Sequence, residues 1–237
     1  MFGPPLVSPP PVPPPSRVTV GEWTVVFTSR ADGNFAIDAP GVQARRARMV
    51  ENRPCVWLRQ GHGVEVIKVL DETSAWRSSG SAADAAFTTC AGIALNVVTA
   101  DCAPIAMVCG AAGAVVHAGW KGLLGGIIER TATELQALSD PHQPIFAFLG
   151  PCIHPTSYEF GDDLEALAKR YGEGVRGRTD DGAPALDMPA TVAAACEAAN
   201  VNLDASMCED TAQERFFSHR VRQDCERQAL FLWRTVP

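Results

Sequence analysis

The residues of this chain best suited to chemistry are His62, Cys102 and His117, each at the end of an apolar run. They stand in Gln60-Gly61-His62-Gly63, Asp101-Cys102-Ala103-Pro104 and Val116-His117-Ala118-Gly119-Trp120-Lys121-Gly122. Two imidazoles and one thiolate suit a divalent ion of zinc type, and three protein ligands leave a fourth position open for water or substrate. Structural zinc modules take their ligands from tight Cys-x-x-Cys or His-x-x-x-His pairs. Here the three come from separate segments, so only a folded core can unite them.

The neighbours of these residues widen the candidate site. Asp101 can orient a ligand histidine or bind substrate hydroxyls, and it can equally cap a turn; it joins Cys102 and His117 as a candidate catalytic residue. Gln60 is a candidate substrate-amide contact. The glycines around Trp120 and Lys121 place backbone N–H groups and an ammonium where a strand gives way to a helix, which suits phosphate, although a tight strand–helix turn needs the same residues. Arg30 and Arg220 are further candidate anion contacts, and Glu159 is a candidate acid or base at the substrate. A different chemistry uses the same atoms: Cys102 as nucleophile with His117 as its base, in a cysteine hydrolase or amidase. Cys55, Cys90, Cys109 and Cys196 read as small hydrophobes. Cys152 has no obvious base beside it, since His154 is followed by a proline that leaves its direction open.

Holding these residues together requires a core, and 46% hydrophobic residues in a 237-residue chain can supply one. Hydrophobic patterning predicts strands at 17–20, 23–28, 56–59, 64–69, 94–99, 105–109, 114–117, 145–149 and 230–233. It predicts helices at 42–52, 123–138, 162–171 and 189–200, with loops at 78–83 and 176–184. Strands and helices interleave without a linker or repeat, which predicts one α/β domain over 17–237, a mixed β-sheet core flanked by helices. Residues 1–16 are proline-rich and are expected to form a disordered tail.

A net charge of −7 argues against a nucleic-acid surface. No apolar run reaches the length of a membrane span. The eight cysteines lie in apolar or motif settings rather than in a secreted disulfide pattern, and a cytoplasmic protein without membrane or nucleic-acid partners is expected.

Several segments together resemble the laccase-domain, or polyphenol oxidase-like, family: Thr28-Ser29-Arg30, Glu51-Asn52-Arg53, Gln60-Gly61-His62-Gly63, Ala83-Asp84-Ala85, Thr99-Ala100-Asp101-Cys102-Ala103-Pro104, His117 through Gly122, Gly150-Pro151-Cys152-Ile153 and Tyr158-Glu159-Phe160-Gly161. The resemblance implies that His62, Cys102 and His117 are metal ligands. It also implies purine nucleoside phosphorylase activity on adenosine, inosine, guanosine and methylthioadenosine, with phosphate as co-substrate, and adenosine deaminase activity. Some members are called peptidoglycan-editing factors, which fits the hydrolase alternative. Zinc is the expected ion and copper the other candidate. A full laccase needs a blue-copper site and several further histidines; five histidines with no His-x-His pair are too few.

Overall fold

Every residue of Trp23–Phe27 is buried, because the strand lies inside a sheet that is itself covered on both faces. The strand that carries His117 and the strand that Cys102 precedes share this trait. The computed structural model describes residues 16–235. The expected proline-rich tail therefore lies outside the described residues, apart from Ser16, which opens the first strand.

In chain order the strands are β1 (Ser16–Val20), β2 (Trp23–Phe27), β3 (Cys55–Arg59), β4 (Val66–Val69), β5 (Ser81–Ala82), β6 (Ala85–Thr88), β7 (Ala94–Thr99), β8 (Ala103–Cys109), β9 (Ala112–Ala118), β10 (Ile145–Leu149), β11 (Arg176–Arg178), β12 (Pro184–Leu186), β13 (Val201–Asp204) and β14 (Gln228–Arg234). The α-helices are α1 (Val42–Met49), α2 (Glu72–Ser78), α3 (Trp120–Gly125), α4 (Ile127–Gln136), α5 (Asp163–Tyr171), α6 (Met188–Ala198) and α7 (His219–Arg222).

Two six-stranded mixed sheets form, ordered β1-β2-β14-β7-β3-β5 and β13-β10-β8-β9-β6-β4. They pack face to face: Val25, Leu95, Val97, Leu230 and Leu232 of the first meet Ala106, Val108, Val115 and Phe148 of the second. The outer face of the second sheet carries Ile105, Met107 and Val116 against Leu123, Ile127, Leu135 and Leu167 from the helices. On the outer face of the first, Val26, Phe231 and Trp233 cover Phe35 and Val50. The result is an α/β domain of layers, helices outside and two sheets within, and strands covered on both faces read as continuous buried runs, as β2, β8 and β9 do. Each fully buried aliphatic side chain contributes about 1.5–3 kcal/mol.

One hairpin positions two of the three candidate ligands. β8 and β9 pair antiparallel around Gly110-Ala111, with Gly110 in the left-handed region at φ 55°. Their register sets Ala103 opposite Ala118 and Pro104 opposite His117, which brings Cys102 and His117 to the same sheet end.

Three segments depart from expectation. The helix expected over 123–138 is two helices, because Gly126 takes φ 86° and ends α3 before α4 begins. The charged loop expected at 176–184 is a small hairpin of β11 and β12. The loop expected at 78–83 instead ends α2 and contributes β5, which pairs in parallel with β3. Hydrophobic patterning also leaves out the strands β6 and β13 and the helices α2 and α7.

Candidate metal centre

The ligating atoms of His62, Cys102 and His117 all lie within 4.8 Å of one another. The two imidazoles meet edge to face, with centroids 4.9 Å apart and planes at 74°. His117 is buried, Cys102 half-buried and His62 exposed, so the cluster opens on one side. Tetrahedral zinc bonds of about 2.0–2.3 Å place neighbouring donors about 3.3–3.6 Å apart. Small side-chain rotations close the present spacing to that value, so the donor set fits one ion.

Asp84 holds two of the three in place. Its Oδ1 lies 2.8 Å from His117 Nδ1, which leaves Nε2 as the free donor of that ring. The same carboxylate accepts the backbone N–H groups of Gly61, His62 and Gly63 at 3.2, 2.9 and 2.7 Å. His62 has φ 61°, a conformation costing a non-glycine residue about 1–2 kcal/mol. The three bonds to Asp84 offset that cost and aim the ring.

Glycines make room for the cluster. A Cβ on Gly119 would stand 2.9 Å from His62 Cδ2 and 3.2 Å from Cys102 Sγ. One on Gly122 would approach the Gly63 carbonyl at 3.0 Å, and one on Gly125 would meet Val64 at 2.6 Å. The start of α3 thus lies directly on the His62 loop, and only hydrogen fits between them.

Charge inside the cluster is mutually supporting. Burial works against a Cys102 thiolate, but His117 and then His62 outweigh it and bring the thiol down to about 6. Burial likewise opposes charge on His117, while the Cys102 thiolate and Asp84 raise it to about 9. Burial of the Asp84 carboxyl is outweighed by His117 and the N–H groups of Gly63 and His62, which hold it below the usual carboxylate range. A thiolate beside an imidazole is the state needed both for a metal ligand and for a nucleophile.

The cluster forms one wall of a cleft of about 510 Å³. Ile37, Val98 and Trp120 supply apolar walls, while Tyr158, Arg220 and Arg227 add polar groups. The Arg220 guanidinium stacks 4.7 Å from the Tyr158 ring centre and donates to the Glu159 carbonyl at 2.7 Å. Burial, followed by the negative charge of Cys102, pushes the Tyr158 phenol well above its ordinary value, so it remains a donor.

Of the residues singled out from the sequence, His62, Cys102, His117, Asp101, Gln60 and Arg220 line this cleft. The Asp101 carboxylate is occupied by protein: Thr211 Oγ1, Ser218 Oγ and the Arg220 N–H donate to it at 2.9, 2.6 and 2.7 Å. It fastens the C-terminal segment over the cleft. The Gln60 amide exchanges both of its hydrogen bonds with the Val98 backbone, at 2.7 and 2.9 Å, and so extends the sheet.

Arg30, Lys121 and Glu159 are not among the lining residues. Arg30 is held by Asp224 and the carbonyls of Glu214 and Phe216. Lys121 is exposed, with its ammonium 5.4 Å from the Trp120 ring centre. The exposed Glu159 meets the neighbourhood through its backbone carbonyl. Asp84 is the residue that sequence reasoning left without a role. Its signal was a lone carboxylate between alanines in Ala83-Asp84-Ala85, ahead of a buried run.

Fold and site define an α/β protein with a candidate His/Cys/His metal centre at the mouth of a cleft. A family model described as multi-copper polyphenol oxidoreductase laccase matches residues 29–235, and the chain belongs to that laccase-domain family. A protein of Xylella fastidiosa (strain Temecula1) named purine nucleoside phosphorylase is 36% identical over 213 residues, covering 83% of this chain and 80% of the relative. Purine nucleoside phosphorylase YfiH of Escherichia coli (strain K12) is 33% identical over 186 residues, covering 75% and 73%. The crystal structure of Neisseria meningitidis protein NMB0706, of the DUF152 family, superposes with a TM-score of 0.79 at 25% identity, covering 92% and 96%. That of YlmD from Geobacillus stearothermophilus gives 0.75 at 24%, covering 91% and 93%. Among the described residues no helix is long and apolar enough to cross a membrane.

Proposed function

We propose that the protein is a zinc-dependent purine nucleoside phosphorylase acting on adenosine, inosine, guanosine and methylthioadenosine, and that the same site deaminates adenosine. The observation that carries this reading is the convergence of His62, Cys102 and His117 beside a cleft of nucleoside size, in a chain whose relatives are named for phosphorolysis. In this reading the three residues hold one zinc ion, which supplies Lewis acidity next to the bound substrate. Asp84 fixes the His117 ring and the His62 loop, and so sets the position of two ligands.

The rest of the chemistry falls to the cleft. Ile37, Val98 and Trp120 offer apolar surface to the faces of a purine. Arg220 and Arg227 give phosphate two guanidinium partners. In phosphorolysis a phosphate oxygen attacks the ribose anomeric carbon, the bond to the purine nitrogen breaks, and the base departs with a proton. The protonated Tyr158 phenol provides a hydrogen-bond donor in the cleft. Asp101 acts as a positioning residue, because its carboxylate fixes the backbone that presents Arg220. Only two of the five histidines belong to the cluster: His142 lies in an exposed turn, His154 turns to Cys208, and His219 lines the cleft without joining the ligand set. That supply favours a single ion over a copper array.

One observation favours a second reading. Cys102, His117 and Asp84 also form the sequence of contacts expected of a nucleophile, its base and the residue orienting that base. In this reading the protein is a cysteine hydrolase or amidase. Metal analysis combined with a phosphate-dependent nucleoside assay separates the two. Bound zinc that shields Cys102 from alkylation, with ribose 1-phosphate as product, supports the phosphorylase. Metal-free activity abolished by alkylation supports the hydrolase.

A further inference from the structure

A second thiol cluster lies at the exit of β10, outside the centre described above. Cys152 Sγ is 3.6 Å from Cys208 Sγ, and Cys208 Sγ is 3.7 Å from His154 Nε2. The sequence left the direction of His154 open; its ring meets Cys208 rather than its near neighbour Cys152. The backbone makes the juxtaposition permanent: the Cys152 N–H donates to the Glu209 carbonyl, and the Thr211 N–H donates to the Cys152 carbonyl, each at 3.1 Å.

The two sulfurs are not equivalent. Cys152 is fully buried, whereas Cys208 is half-buried. The contact with Cys152 and, against the effect of burial, the neighbouring His154 hold Cys208 below the usual thiol range. The negative Cys208 and burial push Cys152 well up. One sulfur is therefore a reachable thiolate beside an imidazole, and the other a protonated thiol held in contact with it. A low-pKa, accessible cysteine poised against a second cysteine is the arrangement that reacts with peroxides.

We propose that Cys208 and Cys152 are a peroxide-reactive dithiol, an oxidation site of this protein separate from its metal centre. In the first step the Cys208 thiolate attacks one oxygen of a hydroperoxide. A sulfur–oxygen bond forms, the oxygen–oxygen bond breaks, and the departing oxygen takes a proton from the His154 imidazolium. In the second, the Cys152 sulfur attacks the Cys208 sulfenic acid. Its proton leaves with the expelled hydroxide as water, and a disulfide remains. Two thiols lose two electrons, and the hydroperoxide gains them. The sulfurs need to approach by roughly 1.6 Å, from van der Waals contact to a bond of about 2.05 Å. The bond would clamp two segments that both touch Asp101, since Ile153 donates to its carbonyl and Thr211 to its carboxylate.

The test uses the full-length, zinc-loaded protein, treated with graded hydrogen peroxide, quenched with an alkylating agent and mapped as unreduced peptides. The expected product is a Cys152–Cys208 linked peptide, lighter by two hydrogens than the separate pair. It should form at peroxide levels that leave the exposed Cys225 unmodified and be reversed by dithiothreitol. Cys152→Ser is expected to stop at a Cys208 sulfenic acid captured by dimedone, and His154→Gln to slow the reaction about tenfold. The inference is overturned if Cys225 or Cys90 oxidises before Cys208 in the wild-type protein, or if Cys208 pairs with a cysteine other than Cys152. The wild-type map alone decides it, should either variant fail to fold.

Discussion

Asp84 and His117 are joined twice. The ring Nδ1 lies 2.8 Å from the Asp84 carboxylate, and the His117 backbone N–H donates to the Asp84 carbonyl at 2.7 Å. The pairing of β6 with β9 sets this, since Ala85 stands opposite Val116 and carries Asp84 to His117. The same carboxylate ties down the His62 loop, so one residue governs the position of two ligands. Asp84→Asn should keep the fold and lower zinc affinity by about 10–100-fold, read by competition with a chromophoric chelator. Affinity equal to wild type would remove Asp84 from the centre.

Gly119 permits the contact between α3 and the ligands. In Gly119→Ala the new methyl would stand 2.9 Å from His62 Cδ2, too close for a relaxed contact, and a tight 3.2 Å from Cys102 Sγ, so the ligand side chains must shift. Backbone strain is not the cause, because its φ is −80°. The expected outcome is a folded protein, with near-native circular dichroism, that purifies with much less bound metal. Full metal content in this variant would contradict the packing.

The thiolate–imidazolium pair gives the metal-stripped protein a defined pH window. Cys102 falls from an ordinary value of 9.0 to about 6, so its contribution disappears as pH falls through about 6. His117 rises from 6.5 to about 9, so its contribution disappears as pH rises through about 9. Each charge depends on the other, and the joint contribution fills the interval between. Denaturant unfolding of chelator-treated wild type and Cys102→Ala should differ most inside that interval and converge on both sides. A difference independent of pH would show that the pair does not ionise.

Arg30 is expected to act on stability rather than on substrate. Its guanidinium bridges Asp224 and two carbonyls of the segment that reaches Asp101. Arg30→Ala should cost about 1–3 kcal/mol in unfolding free energy, and the KM for phosphate should move less than twofold. Asp224 is partly buried, which opposes its charge, but Ser218, Arg30 and Arg222 hold it below the usual range. Its contribution is thus lost as pH falls through that lowered value, and the loss should be smaller in the variant. Arg220→Ala should do the reverse, raising KM for phosphate about tenfold or more with little change in stability, because the Arg220 backbone bond to Asp101 survives.

What could be read from the sequence was local. His117 and Cys102 announced themselves because each ends an apolar run, and a β-hairpin of two such runs must bring its ends together. His62 stood out because flanking glycines free a loop to approach a partner. Asp84 did not, because its role depends on three N–H groups 21 to 23 positions away, and nothing in the surrounding residues encodes that distance. Gln60 looked like a substrate contact, whereas its amide completes a sheet with Val98, a pairing that only the strand order creates. The break at Gly126 lay inside a continuous helical pattern, with Leu123 buried before it and Ile127 and Ile128 buried after it. The dithiol joins residues 56 positions apart, Cys152 and Cys208, through a bridge between two irregular segments.

The central claim is that three distant side chains hold one ion that the reaction needs, and its most direct test is the metal content of purified Cys102→Ala beside its phosphate-dependent cleavage of inosine. The wild-type chain should carry one zinc and release ribose 1-phosphate. The folded variant should carry almost none and release none. A folded Cys102→Ala with full zinc and undiminished turnover would contradict the account.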